Sequence, residues 1–290
     1  MDNYPFASGR SHLQIGIKPL SEAEWIDISA AFAAELAEKE RLLQERHAEV
    51  FVALPESQTA QQETLTLLIN HLQTYAPELY RHDHATLVNQ QTGQIWHRNE
   101  FAPLDLAGRL VQEDWVLLRS GQQGYILVAG SVCFPLRWSL PAKLGQPMTQ
   151  IHAPVPGYQS KLSRPVDALF DRLKPGFPVW RMNWNIVDTP ELFLPPERNQ
   201  QGQNLTITDE NAGEKLWLRR ERQSLRRLPL SDHILFGIHT YLFPLQQVVQ
   251  QPGMAAQLAA AISQIPAAIQ AYKSLGLIQK PLLDYLRQKM

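Results

Sequence analysis

The sequence predicts an α+β protein built on a largely antiparallel sheet. Two observations support this fold class. Helical patterns occupy both ends of the chain, and short runs rich in β-branched and aromatic residues, separated by glycines, fill its middle. The chain has 290 residues, which is enough to bury one substantial core.

The first 76 residues are expected to form a helical extension that packs on the core, and residues 77–290 the main domain. Residues Ser21–Phe51 have the pattern of one long helix, with Ser21 as its N-cap and Glu24 completing a capping box. A second helix is predicted from about Ser57 to Tyr75. Both helices bury an apolar face.

The middle of the chain predicts strands. They lie in the segments ATLVNQ, GQIWHR, DWVLLRS, GYILVAGSVCF, VWRMNWNIVD, EKLWLRRERQ and HILFGIHTYLF. In VWRMNWNIVD the aromatic and aliphatic side chains from Trp180 to Ile186 alternate with Arg181, Asn183 and Asn185, so the two sets point to opposite faces. Helices are predicted in APLDLAGRLVQE and SKLSRPVDALFDRLKPG, and at about 244–251, 254–263 and 266–274.

The composition excludes several classes of function. The formal net charge is only -1, which argues against a general binder of nucleic acids or anionic membranes. A lone cysteine, Cys133, excludes an intrachain disulfide, a zinc ribbon and a four-cysteine iron–sulfur cluster. Dinucleotide, Walker and GxSxG motifs are absent from the sequence. Without an apolar leader at its start or a run of roughly 18 apolar residues, the chain is expected to be cytoplasmic.

The segment LRRERQSLRRLP, Leu218–Pro229, concentrates five arginines in a nearly neutral chain. Written as a strand, it directs Arg220 and Arg222 to the face that Leu218 shares, and Glu221 to the other. Buried guanidinium groups need carboxylates, carbonyls or a bound anion, so the pattern indicates a strand that runs into a polar cavity. A solvated strand end explains it equally well, whereas a nucleic-acid patch is disfavoured because no aromatic residues interleave with the arginines.

A second feature is the loop QIHAPVPGY, residues 150–158. Its prolines stiffen the backbone around His152, and a rigid loop can present an imidazole to a metal or haem iron. A histidine that bonds to a loop carbonyl is the alternative. From the residues alone, both interpretations stay open.

Three segments in series resemble the haem-dependent oxidative N-demethylase alpha-subunit family, in the same order as in that family. They are CFPLRWSLPAKLGQPMTQIHAPVP, WRMNWNI and LRRERQSLRRLPLSDHILFGIHTYLFPL, and the resemblance runs from about Ala76 to the C-terminal helices. It implies a PAS-like antiparallel sheet that holds haem b, with helical additions at both ends.

The resemblance also implies an activity. Dioxygen is activated at haem iron, and a small secondary amine such as dimethylamine is oxidised to a primary amine and formaldehyde. Electrons come from NADPH through FMN and an iron–sulfur cluster. Because this chain has one cysteine and no dinucleotide motif, those groups are expected on separate reductase and ferredoxin-type partners.

Site roles follow from the resemblance. His152 is the expected axial iron ligand, with His239 and His84 as alternatives. Lys161, Arg164 and Arg220 are expected to bind the haem propionates. Arg222, Glu221 and Asn183 are the expected catalytic residues, with Arg222 and Asn183 directed at bound dioxygen and Glu221 at an arginine or an ammonium substrate. A haem-binding PAS-type gas or redox sensor without turnover, and a cofactor-free binding protein, are the alternative functions.

Overall fold

A computed structural model describes residue 6 and residues 16–83, 85–198 and 205–290. Its strands, in chain order, are β1 (Lys18–Pro19), β2 (Phe51–Ala53), β3 (Tyr80–His82), β4 (Thr86–Asn89), β5 (Ile95–His97), β6 (Asp114–Gly121), β7 (Gly124–Ser131), β8 (Val179–Val187), β9 (Trp217–Arg227) and β10 (Ile234–Pro244). Seven of them form a main sheet in the order β1-β8-β9-β10-β6-β7-β2, and β3-β4-β5 form a small second sheet. Every pairing in both sheets is antiparallel.

Eleven α-helices lie within the described residues. They are α1 (Phe32–Glu45), α2 (His47–Val50), α3 (Gln58–Tyr75), α4 (Pro103–Leu110), α5 (Met148–Ile151), α6 (Ser163–Arg172), α7 (Ala212–Lys215), α8 (Leu245–Val248), α9 (Met254–Ser263), α10 (Ala267–Tyr272) and α11 (Gln279–Gln288). None of the helices in the described part of the chain has the length and apolar character to cross a membrane. The predicted α+β class with an antiparallel sheet is confirmed.

The prediction of one long helix starting at Ser21 is wrong. The helix starts only at Phe32, and the Ser21 hydroxyl donates to the Glu24 carboxylate (3.0 Å) without capping a backbone N–H. Tertiary contacts explain why the helix starts later than predicted, because the backbone N–H of Asp27 donates to the Glu113 carboxylate at 3.1 Å. A backbone N–H that donates to a distant side chain cannot also donate to the carbonyl four residues earlier, as a helix requires.

The second predicted helix, α3, and the seven predicted strands are confirmed. The pattern missed β1, β2, β3, α5, α7 and α11, and all of these except α11 have only two to four residues. Although the segment before residue 77 was expected to be helical, it also contributes β1 and β2 to the main sheet. The division at residue 76 stays a prediction.

The main sheet has two faces of different character. In the β8–β9 register Asn183 lies opposite Glu221, and Met182 opposite Arg222. Cross-strand partners share a face, so Asn183 and Glu221 lie on one side and Arg222 on the other, which confirms the alternation predicted for both strands.

We call these sides the α6 face and the α1 face. The α6 face carries Glu221 and packs under Met148, Ile151 and Phe170 of α5 and α6. The α1 face packs against α1 and α3 around Trp115, and against the C-terminal helices around Trp184. Each face therefore has its own hydrophobic cluster.

Candidate functional site

His152 follows directly on the short helix α5, above the α6 face of the sheet. Both its backbone N–H and its ring Nδ1 lie 3.0 Å from the Met148 carbonyl oxygen. A carbonyl can only accept, so Nδ1 carries the proton and Nε2 keeps its lone pair. The fold thus sets the tautomer that leaves Nε2 available as a ligand.

The imidazole is also held neutral. The pKa of His152 is lowered from 6.5 to about 4. Burial is the main cause, the nearby cations of Lys143 and Arg181 add to it, and the hydrogen bond to Met148 opposes it. A neutral imidazole is the form that binds metal ions. At neutral pH His152 therefore has the protonation state of a metal ligand.

The ring of Tyr158 lies parallel to the imidazole of His152. Their centroids are 4.4 Å apart and the planes differ by 12°. Tyr158 begins a π-helical turn, Tyr158–Leu162, and Gly157 precedes it with φ +79°, a conformation that favours glycine. Single π turns occur frequently at functional sites.

Two cations near His152 are poorly compensated. Burial lowers the pKa of Lys143 to about 8, and among the described residues no carboxylate pairs with its ammonium group, which lies 4.2 Å from the centroid of the Trp138 ring. Burial also lowers the pKa of Arg181, against the attraction of Glu221. The Nε of Arg181 is buried without a hydrogen-bond partner in the described chain. Desolvated cations of this kind attract an anion.

Glu221 lies at the centre of a polar cluster on the same face. Its carboxylate accepts from Asn183 Nδ2 at 3.2 Å and from Gln223 Nε2 at 3.0 Å, and lies 3.8 Å from Arg219 Nε. Burial lowers the pKa of Lys273 to about 8, and the Glu221 carboxylate opposes that shift. Glu221 thus stabilises several cations and holds the amide of Asn183.

A groove of about 620 Å³ lies beside α6 and the first residue of β8, and the residues that line it include none of the polar cluster around Glu221. Leu169 of α6 and Val179 of β8 form its apolar wall, and Arg172 and Lys174 provide its cations. Val179 shares the α6 face with Arg181, two residues further along β8, so their Cα atoms lie about 7 Å apart. The volume falls within the range of cofactor pockets.

Arg220 and Arg222 lie on the α1 face, on the opposite side of the sheet from His152. The guanidinium of Arg222 donates to the backbone carbonyls of Glu24 and Trp25. That of Arg220 lies over the rings of Tyr241 and Phe243, at 5.5 and 4.8 Å from their centroids. The geometry brings Glu221 and Asn183 to the side of His152 and leaves both arginines behind the sheet.

The remaining predicted residues lie apart from this cluster. Lys161 and Arg164 are exposed on the π turn and on α6. His239 is fully buried on the α1 face, with its ring nitrogens 3.8 and 3.7 Å from carboxylate oxygens of Glu35 and Glu113. His84 lies outside the described residues.

Sequence reasoning did not single out Lys143, Arg181 or Tyr158. Arg181 stood on the predicted polar face beside Asn183, and Tyr158 ends the loop quoted for His152, so a signal existed for both. Lys143 lies in an irregular segment where no periodic pattern distinguishes a buried lysine from an exposed one.

Most of the chain matches the model of a known protein family. The family model described as haem-dependent oxidative N-demethylase, alpha subunit-like, matches residues 16–283. The match covers most of the chain, and it extends further toward the N-terminus than the segments that carry the resemblance in the sequence.

Proposed function

This chain belongs to the haem-dependent oxidative N-demethylase, alpha subunit-like family, and from that premise we propose that it binds haem b through His152 and demethylates a small secondary amine. The observation that carries the proposal is the imidazole of His152, which is neutral, is held by its Nδ1 and lies near Lys143 and Arg181, two cations that form no ion pair within the described part of the chain. In this proposal the main sheet is PAS-like and the protein is cytoplasmic.

The donor set of the α6 face fits haem. Histidine is a common axial ligand, and a hydrogen bond from its other nitrogen to a carbonyl orients the ring and raises its basicity. Lys143 and Arg181 fit the propionate carboxylates, because each is a desolvated cation that an anion would stabilise. We assign them the propionate role expected from the sequence for Lys161, Arg164 and Arg220, since Lys161 and Arg164 are exposed and Arg220 lies behind the sheet.

When bound, haem supplies the iron at which dioxygen is reduced. The overall reaction takes dimethylamine, dioxygen, two electrons and two protons to methylamine, formaldehyde and water. This chain has one cysteine and no dinucleotide motif. We therefore propose that the electrons come from NADPH through FMN and iron–sulfur groups on reductase and ferredoxin-type partner chains, which an alpha subunit is expected to have.

Glu221 and Asn183 complete the proposed site. The negative charge of Glu221 offsets part of the cost of burying the guanidinium of Arg181. The amide of Asn183 donates to Glu221 (3.2 Å) and fixes that carboxylate. We propose that this pair orients Arg181 and gives an ammonium substrate a carboxylate to approach. Arg222, which is bonded to backbone carbonyls of the N-terminal segment, has a structural role in this proposal.

The first test is an absorption spectrum of the haem-supplemented protein in the oxidised, dithionite-reduced and CO-bound states. We expect one haem per chain and a Soret band that shifts with CO. His152→Ala should lose haem or change its spin state, whereas the control His97→Ala, an exposed histidine, should keep the wild-type spectrum. An unchanged spectrum in His152→Ala would contradict the ligand assignment.

The second test measures turnover. With a reductase and ferredoxin supplied, NADPH and dimethylamine should yield formaldehyde in proportion to the NADPH that is oxidised. A protein that binds haem but releases no formaldehyde from any of a panel of methylated amines would instead be the sensor. A colourless protein after haem supplementation would remove both functions.

A further inference from the structure

The Met148 bond alone does not fix the plane of the His152 ring. A single hydrogen bond at Nδ1 holds that nitrogen but allows the imidazole to rotate about the bond. The parallel ring of Tyr158, with a centroid distance of 4.4 Å and an interplanar angle of 12°, removes this rotation. With only 4% of its surface exposed, Tyr158 is itself fixed by packing.

The backbone explains how Tyr158 comes to lie against His152. Val155 N–H donates to the His152 carbonyl at 2.9 Å, and Tyr158 N–H donates to the Val155 carbonyl at 3.1 Å. These consecutive turns fold the loop back on itself, and Gly157 takes the left-handed conformation within the second turn. The stack is therefore a product of a tightly bonded loop and not a chance contact of mobile side chains.

The hydroxyl group of Tyr158 has no function in the stack. Its Oη is buried, and no described residue forms a hydrogen bond with it. A phenylalanine would stack equally well without burying an unbonded polar atom, which is costly. A buried hydroxyl of this kind indicates an acceptor that the ligand-loaded site supplies.

We infer that Tyr158 is a positioning residue that fixes the imidazole plane of His152, and that its hydroxyl donates a hydrogen bond to an oxygen atom or anion bound at the site. The inference rests on the proposed function, in which His152 binds iron through Nε2. In this inference the acceptor is a propionate carboxylate of the cofactor. Two substitutions separate the two parts of the inference, because Tyr158→Phe removes only the hydroxyl and Tyr158→Leu removes the stack as well.

The ring-positioning part can be tested on haem-free protein by NMR of ¹⁵N-labelled histidine. In the wild type and in Tyr158→Phe, His152 should show a single tautomer protonated at Nδ1, with carbon-bound ring protons shifted by the neighbouring aromatic ring. In Tyr158→Leu the ring-current shift should disappear and the tautomers should mix. Tyr285→Phe, a buried tyrosine on α11 in the cluster of the C-terminal helices, is the control and should match the wild type. Because the ring-current shift is lost with the ring in any case, the tautomer decides: a single Nδ1-protonated tautomer of His152 in Tyr158→Leu would overturn the positioning role.

The hydroxyl part is tested on haem-loaded protein by azide titration of the ferric form and by the rate of haem transfer to apomyoglobin. Tyr158→Phe should accelerate haem transfer about tenfold, the equivalent of one hydrogen bond, with azide affinity unchanged. An unchanged rate of haem transfer in Tyr158→Phe would refute the donor role. A failure of the wild type to bind haem would count against the proposed function, while the NMR result would still decide the positioning role.

Discussion

Replacement of Lys143 by methionine should stabilise the ligand-free protein. The ammonium group of Lys143 is partly buried beside Trp138, and burial alone lowers its pKa from 10.5 to about 8. Without an anion the fold therefore holds a charge that would be more stable in water. Methionine has a similar length and can keep the packing against the indole ring without that charge.

The size of the effect follows from the pKa. One pH unit corresponds to about 1.4 kcal/mol, so a fall from 10.5 to about 8 corresponds to roughly 3 kcal/mol of destabilisation while the lysine is charged. Partial exposure reduces this figure, as does the loss of a cation–π contact worth about 0.5–1 kcal/mol. We expect Lys143→Met to raise the free energy of unfolding by about 1–2 kcal/mol at pH 7.

The pH dependence identifies the cause. Below pH 8 the lysine is protonated in both the folded and unfolded states, and the full cost is present. Between pH 8 and 10.5 the unfolded chain binds more protons, so the stability of the wild type rises toward that of the variant. The advantage of Lys143→Met should therefore shrink through this range and vanish near pH 10.5. Urea unfolding at pH 7, 9 and 10.5 measures it.

Lys289→Met is a matched control, since Lys289 also lies over an aromatic ring, 5.6 Å from the Tyr285 centroid, but is exposed. It should change stability by less than about 0.5 kcal/mol. In haem-loaded protein the wild type should have the advantage. Lys143→Met should lose haem about tenfold faster than the wild type, because it lacks the charge-assisted hydrogen bond to a propionate. A less stable ligand-free Lys143→Met variant, or one no different from Lys289→Met, would refute the argument.

Three further outcomes are expected. Burial, assisted by the charge of Arg226, lowers the pKa of His71 to about 4. Between pH 6.5 and 4 the unfolded chain therefore binds more protons than the folded chain, and stability should fall by at most about 3 kcal/mol as the pH is lowered through this range. Acid titration followed by circular dichroism should show a flatter curve for His71→Phe. Arg227→Met removes the hydrogen bonds to the Leu173 and Phe170 carbonyls and should lower the free energy of unfolding in urea by about 3–5 kcal/mol. The control Arg172→Met, which replaces an exposed arginine of α6, should leave it nearly unchanged. Glu221→Gln keeps the contacts with the amides of Asn183 and Gln223 but removes the negative charge that offsets the burial of Arg181. It should lower formaldehyde formation at least tenfold with haem content retained. Unchanged turnover would exclude Glu221 from the site.

The five long strands of the main sheet, β6 to β10, were predictable because their pattern is local. The alternation of aromatic and polar residues in β8 requires only a period of two, and the register confirms it. The start of α1 was not predictable, because the capping signal at Ser21 is a local preference. Contacts such as that of Asp27 N–H with Glu113, 86 residues away, override it.

The residues of the candidate site differ in the same way: those with a local sequence pattern were predicted, and those placed by tertiary packing were not. His152 stood out because two prolines closely follow it, Asn183 because it alternates with apolar residues, and Glu221 because it interrupts a run of arginines. Which face of β9 meets His152 depends on where α5 and α6 pack, and nothing in the strand sequence specifies that. Arg222 was therefore expected at the site although it lies behind the sheet, and Lys143, far from β9 in sequence, was not considered.

The arginines of β9 explain why a nearly neutral chain concentrates so much positive charge. Four of them bond to carbonyls or carboxylates of other segments: Arg219 to Phe134 and Leu192, Arg222 to Glu24 and Trp25, Arg226 to Glu22, and Arg227 to Phe170, Leu173 and Asp232. These bonds attach the N-terminal segment, the loop before α7 and α6 to one strand. Lys143 and Arg181, the cations near His152 that form no ion pair in the described chain, come from other segments. The richest charge run in the sequence therefore has structural partners, whereas the charge that we propose for ligand binding lies in segments where the sequence shows a single lysine or arginine.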